Sequence, residues 1–167
     1  MNGADAIAEI LRRENTDFIA CYPRNAVIEA CARIGIRPVL CRQERVGVGM
    51  AEGYSRVHRG TRIGVFAPQA GPGIENSFAG VAQAYADGIP LLVLTGAAST
   101  GREHVSPVFN AVENFRHVTK WATKIPDAAQ ILDTFRRAYH LMRNGRPGPV
   151  LIEVPNDVWA QEIDNEF

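Results

Sequence analysis

Short apolar runs such as LLVLT and VLIEV recur along this chain, and the stretches between them carry apolar residues at helical spacing. A strand buried on both faces reads as a continuous apolar run, and a parallel neighbour is reached only through a crossover, usually a helix. The alternation therefore constrains the chain to βα units around a buried sheet. The predicted fold class is α/β: a single three-layer domain with a mostly parallel, doubly wound sheet of about six strands flanked by helices. A chain of 167 residues is long enough to bury one such core. We expect one domain over residues 1–160, followed by a polar tail over 161–167.

Local signals divide the chain further. Asn2 is placed to cap a first helix that carries Ala6, Ile7, Ile10 and Leu11 on one face, and Asp17 to Cys21 reads as the first strand. A helix from Ala26 to Ile34, ended by Gly35, leads to a strand from Arg37 to Cys41. Val46 to His58 reads as a helix closed by Gly60, and Arg62 to Ala67 as a strand. Ile74 to Asp87 follows as a helix ended by Gly88, then Leu91 to Thr95 as a buried strand. Periodicity lapses from Gly96 to Val108, the mark of a long functional loop or a crossing segment. A last helix from Asp127 to Asn144 precedes a strand from Val150 to Val154.

The 18 basic and 18 acidic residues cancel, which argues against nucleic acid or an anionic membrane as partner. Cys21, Cys31 and Cys41 form neither a zinc pattern nor a disulfide framework and read as reduced core residues. The opening MNGADAIAEI lacks the basic-then-apolar order of a secretion signal, and no apolar window is long enough to span a bilayer. A cytoplasmic protein is expected.

Three clusters carry the chemistry-bearing residues. In RQERVGVGMAEGYSR, Glu44 follows the carboxyl end of a predicted strand, the edge where open parallel sheets bind ligands. The alternative is an acid that merely favours a helix N-terminus. Gly47, Gly49 and Gly53 depart from the dinucleotide fingerprint in spacing and in distance from the strand, so they read as small residues on a closely packed helix. In the second cluster, Gln69, Gly71-Pro72-Gly73 and Asn76 form either a turn that a ligand approaches closely or a tight βα turn whose glycines satisfy backbone geometry. No lysine followed by Ser or Thr ends that glycine run, which excludes a P-loop. The third cluster, Arg102, Glu103, His104 and Asn110, fits contact with an acidic substrate or a solvated loop, and we assign it no catalytic role. His58, His117 and His140 lack partner spacing, and no nucleophile elbow is present.

Taken in order, Tyr22-Pro23, RQERVGVGMAEGYSR, GPGIEN, AYADGIPLLVLTG, Thr119-Lys120-Trp121 and GRPGPVLIEVPNDV make a further case. They resemble the N-terminal pyrimidine-binding domain of thiamine diphosphate-dependent enzymes of the acetohydroxyacid synthase and benzoylformate decarboxylase group. The resemblance implies thiamine diphosphate as cofactor and Glu44 as the catalytic glutamate, its carboxyl group hydrogen-bonded to N1′ of the aminopyrimidine. Proton sharing there favours the imino tautomer, whose 4′-nitrogen takes the proton from thiazolium C2. Tyr22, Pro23, Gly71, Pro72, Gly73 and Asn76 would line the cofactor site. Arg24-Asn25 departs from the small glycines of many relatives, and Gln43 stands where synthases often have histidine. Asn110 and Pro107 are equally good matches for the synthases' late-loop glutamine.

Family members hold Mg²⁺ and the diphosphate through a second α/β domain with a Gly-Asp-Gly motif, which this sequence does not contain. The resemblance thus implies a partner diphosphate-binding domain or subunit that holds Mg²⁺, an isolated chain without activity, and homo-oligomers. The implied function is the pyrimidine-binding part of an acetolactate synthase-like decarboxylase or carboligase acting on a small 2-oxo acid. The competing readings are a non-catalytic dimerisation or regulatory module with the same fold, and a nucleotide-binding doubly wound domain. Glu44 counts against the non-catalytic module, because an idle site has no need of a buried acid.

Overall fold

The computed structural model describes residues 1–163. Its strands are β1 (Phe18–Cys21), β2 (Arg37–Leu40), β3 (Gly64–Ala67), β4 (Leu91–Ala97), β5 (Trp121–Lys124) and β6 (Pro149–Pro155). They form one sheet in the order β2-β1-β3-β4-β6-β5, with every pairing parallel. The helices are α1 (Gly3–Arg13), α2 (Val27–Arg33), α3 (Glu44–Val57), α4 (Pro72–Asn76), α5 (Phe78–Asp87), α6 (Ala111–Phe115), α7 (Ile131–Arg143) and α8 (Asn156–Ala160).

Successive residues of a strand point to opposite faces, so one strand feeds two cores. Ile152 of β6 joins Ile7, Leu11, Ile19 and Phe135 beneath α1 and α7, while Leu151 joins Val48, Phe66, Ile74 and Phe115 beneath α3 and α6. This is the three-layer α/β architecture expected from the alternation. Helix ends follow local chemistry: Asn2 Oδ1 accepts from Asp5 N at 2.9 Å, and Gly88 takes the left-handed conformation that ends α5.

Most expected elements stand within a few residues of their expected bounds, β4 runs on to Ala97 and α7 starts at Ile131 rather than Asp127, and the larger differences are these. Helix α3 begins at Glu44 rather than Val46, because the carbonyl of Gln43 already accepts from Val46 N and Gly47 N at 3.1 Å. The helix expected over 74–87 starts at Pro72 and is broken at Ser77, whose hydroxyl donates back to the carbonyl of Gly73 at 2.8 Å, a bond that bends helices. Strand β5 and helix α6 had no periodic signal; all four residues of β5 are half-buried on the sheet edge. Residues 156–160 form α8.

The polar tail turns back to the start of the chain, with Gly3 N bonded to Gln161 O at 3.0 Å and Ile163 N to Met1 O at 2.9 Å. The rest of the expected tail, residues 164–167, lies outside the described residues. The three cysteines are free and buried as expected, and burial pushes the thiol of Cys21 to about 11 and that of Cys31 to about 12. Among the described residues no helix is long and apolar enough to cross a membrane.

Candidate active site

The chain leaves β2 at Leu40 and enters α3 at Glu44. That start places a carboxylate where the unpaired N–H groups of the first turn favour it. The turn is pressed onto the sheet, since a Cβ on Gly47 would stand 2.7 Å from both Cys41 Sγ and the Phe66 ring. Glu44 is consequently buried, 9% exposed.

The opposing wall comes from the connection after β3. Gly71 has φ +68°, a conformation that costs a side-chain-bearing residue energy, and Pro72 then sits in the first turn of α4. Ile74 N bonds to Gln69 O and Glu75 N to Gly71 O, each at 3.0 Å, which closes the turn. At its end Asn76 Nδ2 donates to Glu44 Oε2 at 3.0 Å. A Cβ on Gly73 would lie 3.0 Å from Glu44 Oε1 and 2.9 Å from Gln69 Cβ. Oε1 accepts no hydrogen bond from the described residues.

The structure thus brings Glu44, Gly73 and Asn76 into contact, with Gly71 and Pro72 on the same turn and open space beside Gly71. This donor set fits an aminopyrimidine: a buried carboxyl group has one oxygen held and one left for a ring nitrogen, and a glycine stands where any Cβ would crowd it. Tyr22 and Pro23 lie at the end of β1, tied to β3 by Tyr22 N to Ala67 O at 3.1 Å. They share the sheet edge with Glu44 without a hydrogen bond to it. The tightly packed helix expected of three glycines holds for Gly47 alone, because Gly49 and Gly53 face open space.

The next two residues, Arg24 and Asn25, carry their own signal. Arg24 has φ +75°, which costs a non-glycine residue ~1–2 kcal/mol. Asn25 is buried, donating through Nδ2 to Pro68 O at 3.1 Å and Leu94 O at 3.0 Å, and accepting from Val27 N at 3.2 Å. A single sequence shows only an asparagine two residues after a proline here, so its role was not legible.

The late loop gathers at the other end of the sheet edge. Thr100 N lies 3.2 Å from both carboxylate oxygens of Asp157. Glu103 accepts from Lys124 Nζ at 2.9 Å, and Lys124 in turn lies 3.6 Å from Glu153 Oε2, its register partner across β5 and β6. Glu153 is 2% exposed, and its Oε2 has no hydrogen-bond partner among the described residues. Burial pushes the Glu153 carboxyl above the ordinary range, with Lys124 opposing. Glu103, Asn110, Lys124 and Glu153 line a cavity of about 270 Å³, to which His104 also contributes, while Arg102 and Pro107 line a neighbouring recess. Asn110 also caps α6, accepting from Glu113 N at 3.1 Å. Lys124 and Glu153 escaped the sequence reading because their pairing spans two strands whose adjacency no local pattern reveals. Among the described residues no group of three or more His, Cys, Asp or Glu side chains is arranged to hold a metal ion.

Comparison with known proteins gives the family of the chain. Residues 1–130 match the model of the family described as thiamine pyrophosphate enzyme, N-terminal TPP binding domain. A probable acetolactate synthase large subunit of Methanocaldococcus jannaschii is 35% identical over 99% of this chain and 29% of its own length. Acetolactate synthase 2, chloroplastic, of Nicotiana tabacum is 38% identical over 96% of this chain and 25% of its own length. The acetolactate synthase large subunit of Lactococcus lactis is 33% identical over 97% of the chain and 29% of its length. The chain therefore spans between a quarter and 29% of these curated relatives.

Proposed function

The chain belongs to the thiamine pyrophosphate enzymes, as their N-terminal TPP-binding domain, and from that premise we propose that Glu44 activates the cofactor within an acetolactate synthase-like enzyme acting on small 2-oxo acids. The observation that carries the reading is the buried Glu44 carboxyl, with Oε2 held by Asn76 and Oε1 open beside Gly73.

Thiamine diphosphate, when bound, supplies a nucleophilic thiazolium carbon and an electron sink for decarboxylation or carboligation. Glu44 would hold the aminopyrimidine ring through its open oxygen and share a proton with it, which makes it the catalytic residue proposed for this chain. Asn76 fixes the rotamer of that carboxyl group and limits it to one free oxygen. Gly71 and Gly73 leave the room that a ring needs, and Tyr22, Pro23 and Pro72 complete the wall.

The remaining half of the site is assigned to a diphosphate-binding domain or subunit that holds Mg²⁺, so the isolated chain is inactive. Residues 1–160 act as one pyrimidine-binding domain. Helix α3 offers a face for such a partner or for a second copy: none of the described residues packs on Gly49 or Gly53, and Val46 and Val57 are exposed beside them. Glycines inside a helix cost ~1 kcal/mol each relative to alanine, a cost that close approach of another chain would offset. The free cysteines fit a reducing compartment such as the cytoplasm. A non-catalytic module with this fold gives no reason for the Glu44–Asn76 arrangement.

The test is acetolactate formation from pyruvate by the complete enzyme. Glu44→Gln is expected to lower turnover by about 100-fold or more with assembly unchanged. Turnover at the wild-type rate would remove Glu44 from the mechanism.

A further inference from the structure

We propose that Asn25 is a positioning residue for the Glu44 site: its buried amide ties the connection after β3 to β1 and β4, and so sets where Gly73 and Asn76 stand relative to Glu44. The inference rests on the cofactor-activating role proposed for Glu44.

The amide is 7% exposed, and all of its principal bonds are made within the chain. Nδ2 spends its two hydrogens on Pro68 O at 3.1 Å and Leu94 O at 3.0 Å, and Oδ1 accepts from Val27 N at 3.2 Å. Two donors and an acceptor at one point are what an amide alone provides among short side chains; aspartate has no donor, serine one, glycine none. The three partners belong to three different places. Pro68 directly follows β3, Leu94 lies in β4, and Val27 opens α2 behind β1. Both carbonyls stand towards the carboxyl edge of the sheet, where buried carbonyls need a donor.

Strand order gives the position its meaning. From β1 the chain passes to β2 on one side, and β3 lies on the other, so the order reverses there and leaves a crevice beyond the strand ends. Asn25 leaves β1 at that switch and bonds across it to the connection after β3 and to β4.

The path from Asn25 to Glu44 is short. Beyond Pro68, the carbonyl of Gln69 accepts from Ile74 N at 3.0 Å, and Gln69 Cβ lies 2.9 Å from where a Cβ on Gly73 would stand. Two residues after Ile74, Asn76 donates to Glu44. Arg24, with φ +75°, is the turn that swings Asn25 inward, and a conformation of that kind persists where surrounding bonds hold it.

The experiment uses the complete enzyme, saturated with thiamine diphosphate and Mg²⁺, and follows exchange of the cofactor C2 proton together with cofactor affinity and the thermal midpoint. Asn25→Ala is expected to slow exchange about 10-fold, with affinity changed far less. Combined with Asn76→Ala, the loss should be well below the product of the two single losses, since both act on the same carboxyl group. Thr119→Ala serves as the control for lost stability alone: Thr119 is buried, and its hydroxyl donates to Phe115 O at 2.9 Å, away from this wall. It should lower the midpoint and leave exchange unchanged. Asn25→Ser, which keeps an acceptor for Val27 N, carries the test if the alanine variant does not fold, and should slow exchange partway. Wild-type exchange in the Asn25 variants, or losses that multiply independently with Asn76→Ala, overturn the proposal. Unchanged exchange in Glu44→Gln removes the cofactor reading as well, so the two failures are told apart.

Discussion

Asn76 Nδ2 reaches Glu44 Oε2 across 3.0 Å and joins the last residue of α4 to the first of α3. Asn76 is exposed, so the bond adds little to folding and acts chiefly by fixing the carboxyl group. Asn76→Ala should therefore slow C2-proton exchange about 10-fold, ~1.4 kcal/mol, and move the thermal midpoint little. A large fall in the midpoint with unaltered exchange would make the bond structural instead.

Gly73 faces Glu44 at a distance that admits no side chain. Its added Cβ would meet Gln69 Cβ at 2.9 Å and Glu44 Oε1 at 3.0 Å, so either the turn or the carboxyl group must move. Gly73→Ala should cost ~1–3 kcal/mol in denaturant unfolding, as overpacking usually does, and should weaken cofactor binding in the complete enzyme. Unchanged cofactor affinity would show that this wall does not border the ring.

Arg24 adopts a left-handed backbone, and among the described residues its side chain makes no hydrogen bond or ion pair. Arg24→Gly relieves the strain, while the added freedom of the unfolded chain takes part of the gain back. A net rise of about 0.5–1 kcal/mol in unfolding free energy is expected. A loss instead would show that the arginine side chain contributes to the fold.

Glu153 supplies a pH signature. Its folded-state affinity for a proton exceeds that of the unfolded chain, chiefly through burial, with Lys124 pulling the other way. The associated stability is complete below the ordinary glutamate range and is lost as pH rises through the raised folded value. Glu153→Gln removes this dependence. The variant should match the wild type near about pH 4 and gain on it steadily towards about pH 7, read from urea midpoints across that range. A difference independent of pH would mean that Glu153 titrates as an exposed acid does.

The sequence carried the sheet and the Glu44 cluster further than it carried the rest, for physical reasons. Strands β3, β4 and β6 are buried along almost their whole length, so each reads as an apolar run, and Gly35 and Gly88 mark helix ends by their backbone requirement. Glu44, Gly71, Gly73 and Asn76 lie in two short local motifs, and the fold merely had to bring the motifs together. Ser77 was invisible as a helix break because its effect depends on a bond back to Gly73. Strand β5 is a half-buried edge with neither alternation nor an apolar run. Asn25 and the Lys124–Glu153 pair owe their roles to strands far apart in sequence, and no spacing rule reaches them.

The measurement that bears most directly on the central claim is C2-proton exchange of thiamine diphosphate, followed by NMR with the diphosphate-binding partner and Mg²⁺ present. Wild type should accelerate exchange only when the partner is there, and Glu44→Gln should lose about 100-fold or more of that acceleration while still binding cofactor. An assembled, cofactor-bound Glu44→Gln complex that exchanges at the wild-type rate would contradict the account and leave this domain a binding module.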